Sequence, residues 1–274
     1  MLQQWDVDIQ EADIPTSCGH THIVTAGDPS KPPLLLFHGV GDNSALMWIF
    51  NAKALSKDFY VIAVDTLGGP GKSEPNLSYT TGFDQARWIN ELLERLNLDK
   101  VNLAGVSNGS YLASTYTVTY PDNVHRMVGM AGGVKLNMLR MAMLFLPEAL
   151  FPASETTTRK LLRKLCAPGT SNVFENNEEI MKHWTYLLQY FNNRSMMAHT
   201  YRKFTEQELR ILQQKALFLV GEHDRLSHYP AAIKALAQHQ IPYKIIASAG
   251  HGINHEQAER INEEIRTFLL ESYT

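Results

Sequence analysis

Five residues, Gly105-Val106-Ser107-Asn108-Gly109, set a serine between two glycines in the pattern G-x-S-x-G. A serine hydroxyl is a weak nucleophile at neutral pH. A tight strand-to-helix turn lifts it clear of a sheet, at the positive end of the helix that follows. It also needs a base, and the base needs an acid to orient it. Two later segments offer these groups. Gly221-Glu222-His223-Asp224 brings Asp224, with Glu222 as a rival nearer the preceding strand. Ser248-Ala249-Gly250-His251-Gly252 brings His251 between glycines, with His255 as a rival inside the last helical pattern. Serine, then acid, then histidine is a chain order known for this constellation. The chemistry it implies is acyl transfer, which also needs donors for a developing oxyanion. The backbone N–H of Asn108, next to the nucleophile, and that of Val40 in His38-Gly39-Val40-Gly41 are the expected pair.

These residues work only if the chain delivers them to one place. Short apolar runs alternate with helical patterns through the first half, as in parallel βαβ units. Leu34–Phe37, Tyr60–Val64, Val101–Val106 and Met127–Ala131 read as buried strands. Between them, Phe83–Leu96 carries apolar residues at 86, 89, 92, 93 and 96, the stripe of an amphipathic helix. Asn108–Tyr120 reads as a helix stopped by Pro121. From Val134 to about Lys203 no strand is expected. The core pattern returns at Phe204, where Thr205 and Glu208 spell a capping box and Phe204 can staple onto Leu209. Strands at Ala216–Val220 and Tyr243–Ile246 follow, with a helix near 230–238 and a last one from about 254 to 270. Ser107, Asp224 and His251 each follow a strand, so all three open on the same edge of the sheet.

Other spacings fail. Gly68-Gly69-Pro70-Gly71-Lys72-Ser73 resembles a phosphate loop, but Thr66 stands where its first glycine belongs. His20-Thr21-His22 lacks a third ligand nearby, and His255-Glu256 ends in Glu259 where a zinc-protease helix needs histidine. The 274 residues hold 25 Lys+Arg against 28 Asp+Glu, a net charge of −3, so no basic excess points to nucleic acid or an anionic membrane. The N-terminus lacks signal-peptide character. Leu136–Leu146 is too short to span a bilayer and contains Arg140. Two cysteines, Cys18 and Cys166, give no disulfide framework. The expectation is a cytoplasmic protein, monomer or homodimer, with no membrane insertion, no cofactor and no metal.

In this order, these residues resemble the α/β-hydrolase superfamily over nearly the whole chain. Within it they look like carboxylesterases of the naproxen-esterase type. The likeness rests on Gly19-His20-Thr21-His22-Ile23-Val24, on Phe37-His38-Gly39 with Met47-Trp48 downstream, and on the stretch from Val64 to Pro75. It continues through the serine turn, Phe204–Leu209, Gly221–Asp224 and Ala249-Gly250-His251. The elbow departs from many relatives in having the bulkier Asn108 and Ser110. A serine at 107 argues against the dehalogenases and epoxide hydrolases of similar fold. The resemblance implies an α/β fold with a mostly parallel central sheet flanked by helices. It divides the chain into a core of residues 1–133 and 204–274 and a helical cap of residues 134–203. It also implies hydrolysis of small to medium hydrophobic esters through an acyl-enzyme. Met141 and Phe145, in the apolar run of the cap, are expected to line the substrate pocket, or else to pack the cap onto the core. Rival activities are C–C bond hydrolysis, perhydrolysis, cyanohydrin cleavage and amide or aminopeptide hydrolysis. A further rival is a ligand-binding signalling role.

Overall fold

In the computed structural model, the described residues are 1–132, 143, 152–227 and 229–271. Among them the chain builds a nine-stranded sheet. Its strands are β1 (Ile9–Thr16), β2 (Gly19–Ala26), β3 (Pro33–Phe37), β4 (Tyr60–Val64), β5 (Glu74–Pro75), β6 (Val101–Val106), β7 (Val124–Met130), β8 (Ala216–Gly221) and β9 (Tyr243–Ile246). The order is β1-β2-β4-β3-β6-β7-β8-β9, with β5 paired to β2. From β4 to β9 every pairing is parallel. The β1–β2, β2–β4 and β2–β5 pairings are antiparallel. The mostly parallel sheet expected from the sequence is therefore present.

Parallel strands covered on both faces need apolar side chains at every position. Leu34 and Leu36 face one core, with Ala63, Val106, Leu219 and Ile265. Leu35 and Phe37 face the other, with Val64, Leu103, Phe218 and Leu112. The longer helices are α1 (Gln85–Arg95), α2 (Asn108–Thr119), α3 (Glu155–Leu165), α4 (Glu178–Tyr190), α5 (Glu206–Lys215), α6 (Tyr229–Gln238) and α7 (Ala258–Leu270). The start of α1 is set by Asp84, whose carboxylate accepts the N–H groups of Ala86 and Arg87. The capping box of Thr205 and Glu208 forms at α5, and both Phe204 and Leu209 are buried.

The structure departs from the sequence reading in several places: β5 is missing from it, β7 begins at Val124 where the expected run begins at Met127, and two further differences follow. Strand β1 is absent from that reading. It is an edge strand with a largely exposed surface, so its residues carry no clean hydrophobic period. The last helical pattern is two helices. Ile253–Glu256 forms one short turn, and Gln257, at φ −129° and ψ 46°, breaks it from α7. Residues 152–203 contain helices and no strand.

Candidate active site

Ser107 ends the β6 side of a strand-turn-helix and stands just before α2 with φ 56° and ψ −113°. This left-handed backbone costs a non-glycine residue roughly 1–3 kcal/mol and persists only where the surroundings enforce it. The two flanking glycines are that enforcement. A Cβ on Gly105 would lie 2.2 Å from the Gly109 carbonyl oxygen, and one on Gly109 would lie 2.1 Å from that of Phe37. Only glycine permits the turn to close so tightly.

The loops after β8 and β9 bring Asp224 and His251 together. The Nδ1–H of His251 faces both carboxylate oxygens of Asp224, at 3.1 Å each. Asp224 is fully enclosed, while His251 keeps 13% of its side-chain surface. The N–H groups of Leu226 and Ser227 donate to Asp224 Oδ1 at 2.9 Å. Burial pushes the Asp224 carboxyl up, but the charge and hydrogen bond of His251, with the Ser227 bonds, outweigh it and hold it below the usual carboxylate range. Glu222 is about half exposed and lies beside His223 and the Ser248 N–H. Among the described residues no hydrogen bond joins Ser107 to His251. Catalytic contacts of this kind are often long without substrate.

Ser107 and His251 border one cavity of about 570 Å³. Gly39, Val40 and Asp42 form one side of it. Leu161, Leu165, Phe174 and Trp184, from residues 155–190, supply an apolar part of its wall. Val40 belongs to the loop after β3 and is partly exposed. That loop is braced by His38, whose Nδ1–H donates to the Gly39 carbonyl at 2.8 Å while Nε2 accepts the Thr66 N–H at 2.8 Å. Burial lowers the His38 pKa, which keeps this ring neutral. Asn108 is buried, and the Tyr201 hydroxyl donates to its Oδ1 at 2.6 Å. The polar side chain that distinguishes this elbow is thus tied to residue 201. Met141 and Phe145 lie outside the described residues. A second cleft, about 670 Å³, is bordered by Glu11, His22, Lys72 and His183 and by none of Ser107, Asp224 and His251. There His22 is engaged by Asp13 at 2.8 Å and Glu11 at 3.1 Å.

Two residues hold places that the sequence reading does not give them; it weighs His255 as a rival base and otherwise sets both only in a failed metal motif. Glu256 accepts the Gly250 N–H at 3.0 Å, the Ala167 N–H at 2.7 Å and the Thr170 hydroxyl. The N–H of His251 itself donates to the Leu165 carbonyl at 2.7 Å. The histidine loop is therefore bolted to the end of α3. His255 lies on the cavity wall and is 3% exposed. The available signal is their spacing of four and five residues after His251.

The profile of the family described as alpha/beta hydrolase fold matches residues 32–258. The carboxylesterase YbfK of Bacillus subtilis is 27% identical, with 98% of this chain and 90% of that protein covered. A (E)-2-((N-methylformamido)methylene)succinate hydrolase of Acinetobacter baylyi is 30% identical over 86% of this chain and 90% of its own length. Among solved structures, the naproxen esterase (carboxylesterase NP) of Bacillus subtilis superposes with a TM-score of 0.84 at 25% identity, covering 97% of this chain and 93% of that one. The match spans most of the sequence, and the chain belongs to the alpha/beta hydrolase fold family.

Proposed function

We propose that this protein is a carboxylic ester hydrolase that cleaves small to medium hydrophobic esters through an acyl-enzyme at Ser107. The observation that carries the reading is the His251–Asp224 pair opening on the same cavity as a serine held in a strained elbow. In this reading Ser107 Oγ attacks the ester carbonyl carbon and His251 Nε2 takes its proton. The N–H groups of Val40 and Asn108 receive the oxyanion. His251 then passes the proton to the departing alcohol, and water activated by the same nitrogen releases the acid. Asp224 fixes the proton on Nδ1 and stabilises the imidazolium. The names of the carboxylesterase relatives support the ester class. The apolar wall supports a preference for uncharged, hydrophobic substrates. We assign that wall to a helical cap of residues 134–203 over a core of residues 1–133 and 204–274. Two unpaired cysteines support a reducing, cytoplasmic setting. Among the described residues no helix is long and apolar enough to cross a membrane.

The test is a panel of p-nitrophenyl esters of rising acyl length, with an aminopeptidase substrate and a lactone, alongside labelling by a fluorophosphonate. Ester turnover and a label that vanish in Ser107→Ala, with kcat lowered by roughly 10⁴–10⁶, are expected. A folded alanine variant that kept its label or most of its rate would remove Ser107 from the mechanism.

A further inference from the structure

The cavity wall holds a second imidazole. His255 sits in the short helix Ile253–Glu256 and packs against Phe174 with ring centroids 4.9 Å apart. Its Nε2 lies 3.0 Å from the Leu46 carbonyl oxygen, which only accepts, so Nε2 carries the proton. Burial pushes this histidine's pKa down to about 4, so the ring is neutral at working pH. A neutral ring with its proton on Nε2 leaves Nδ1 as a lone-pair acceptor. Among the described residues no donor bonds to it. Nδ1 is not among the fully enclosed polar atoms, so on a residue that borders the cavity it is open to a donor entering there.

We infer that His255 Nδ1 is a hydroxyl-reading position in the substrate pocket, and that the preferred esters carry a hydroxyl on an aryl arm lying against Phe174 and Trp184. The inference rests on the ester-hydrolase reading above and names the substrate class for the same cavity. Two features favour an aryl arm with a hydroxyl. The wall around His255 is aromatic, with Phe174 and Trp184 5.8 Å apart, which suits offset or edge packing against a ring. Trp184 Nε1, on the same wall, is buried and has no partner. A hydroxyl both donates and accepts, so it offers a donor to His255 Nδ1 and, unlike a lone N–H donor, also a lone pair to a wall that holds an unpartnered indole N–H. Asn254 also borders the cavity; its amide nitrogen is spent on the Met47 carbonyl at 2.6 Å, but its buried Oδ1 has no partner and is a rival acceptor, which the His255→Phe comparison separates from His255.

The experiment compares p-nitrophenyl esters of phenylpropanoic acid with their ortho-, meta- and para-hydroxyphenyl counterparts, and the matching aryl-alcohol butyrates. One hydroxyl position should raise kcat/KM by about three- to tenfold over the plain parent, the value of one neutral hydrogen bond. His255→Phe should bring that ratio to about one. If no position is preferred by more than twofold, or if the preference survives in His255→Phe, the assignment is wrong. If His255→Phe does not fold, the ¹⁵N resonance of Nδ1 in the Ser107→Ala protein decides. It should move upfield on adding the hydroxylated ester and stay fixed with the parent; equal response to both overturns the proposal. Failure of the ester reading looks different. In that case no ester turns over and no fluorophosphonate labels the protein. The Nδ1 resonance, titrated with hydroxylated and plain aryl acids, then judges the His255 position by itself.

Discussion

Replacing Asp224 by asparagine tests the proposed division of labour at the site. The change is isosteric, and the structure says which way the amide must sit. Oδ1 already accepts from the N–H groups of Leu226 and Ser227 at 2.9 Å. Turning the new NH₂ toward those amides would forfeit two hydrogen bonds and oppose donor to donor, a cost of about 1–3 kcal/mol. The introduced asparagine therefore keeps its oxygen in place and sets its NH₂ where Oδ2 stood, 3.1 Å from His251 Nδ1. Two donors then face each other. The ring escapes by moving its proton to Nε2, which removes the lone pair that would take the serine proton. Because Oδ1 is also 3.1 Å from Nδ1, some hold on the original tautomer survives. The expected loss is about 10³–10⁴ in kcat, or about 4–5.5 kcal/mol of barrier, with KM little changed. Hydrolysis of p-nitrophenyl butyrate, with melting temperature as the control for folding, measures it. The acid limb of stability gives a second reading. Asp224 has a lowered folded pKa, so its contribution is present above the unfolded carboxyl value near 3.9 and is lost as pH falls through the lower folded value. The asparagine variant should lack that decline. A folded Asp224→Asn within tenfold of the parent rate would refute the reasoning, and a larger loss in Glu222→Gln would move the acid to that residue.

Gly109→Ala should lower stability by about 2–4 kcal/mol and abolish most activity, because the added Cβ meets the Phe37 carbonyl, a backbone atom that cannot swing aside; near-normal melting would count against the elbow strain. Glu256→Ala leaves the Gly250 and Ala167 N–H groups without their acceptor. It should lower kcat more than KM, with Glu256→Gln recovering part of the rate, and a pure loss of stability at unchanged kcat would make Glu256 structural only. Asp42 has one carboxylate oxygen bonded to the Asn43 N–H and the other buried without a partner, and burial raises its pKa to about 8. Its folded pKa being raised, the stability linked to its proton is complete below about 4 and is lost as pH climbs toward 8. Urea unfolding of Asp42→Asn should accordingly show a gain over the parent that grows across that window, and a gain independent of pH would contradict the assignment.

Much of this molecule is legible in one dimension. Strands β3, β4, β6, β7 and β8 show as apolar runs because both of their faces are largely covered, while the edge strand β9 shows through its short apolar run alone, and the G-x-S-x-G turn shows because two glycines are sterically compulsory. Strand β1 is invisible because its exposed residues need no hydrophobic pattern. The helix break at Gln257 is invisible because no glycine or proline marks it. Glu256 reads as a fragment of a failed zinc motif, and His255 as that or as a rival base, since nothing in their local sequence tells that one borders the cavity and the other grips the loop of His251.

Local sequence specifies most element types, the order of the proposed serine, acid and histidine, and the edge of the sheet on which they open. Those follow from local sterics and from the period of apolar residues, which act over a few positions. Tertiary structure alone decided which carboxylate meets His251, since Asp224 and Glu222 are two residues apart and only the turn after β8 separates the enclosed one from the exposed one. It alone brought Leu161, Phe174 and Trp184 over a serine far away in the chain, and gave His255 a fixed tautomer through a carbonyl from the other end of the chain. Burial, and the hydrogen bonds that burial makes compulsory, depend on what the whole chain packs around a group, and no window of sequence contains that.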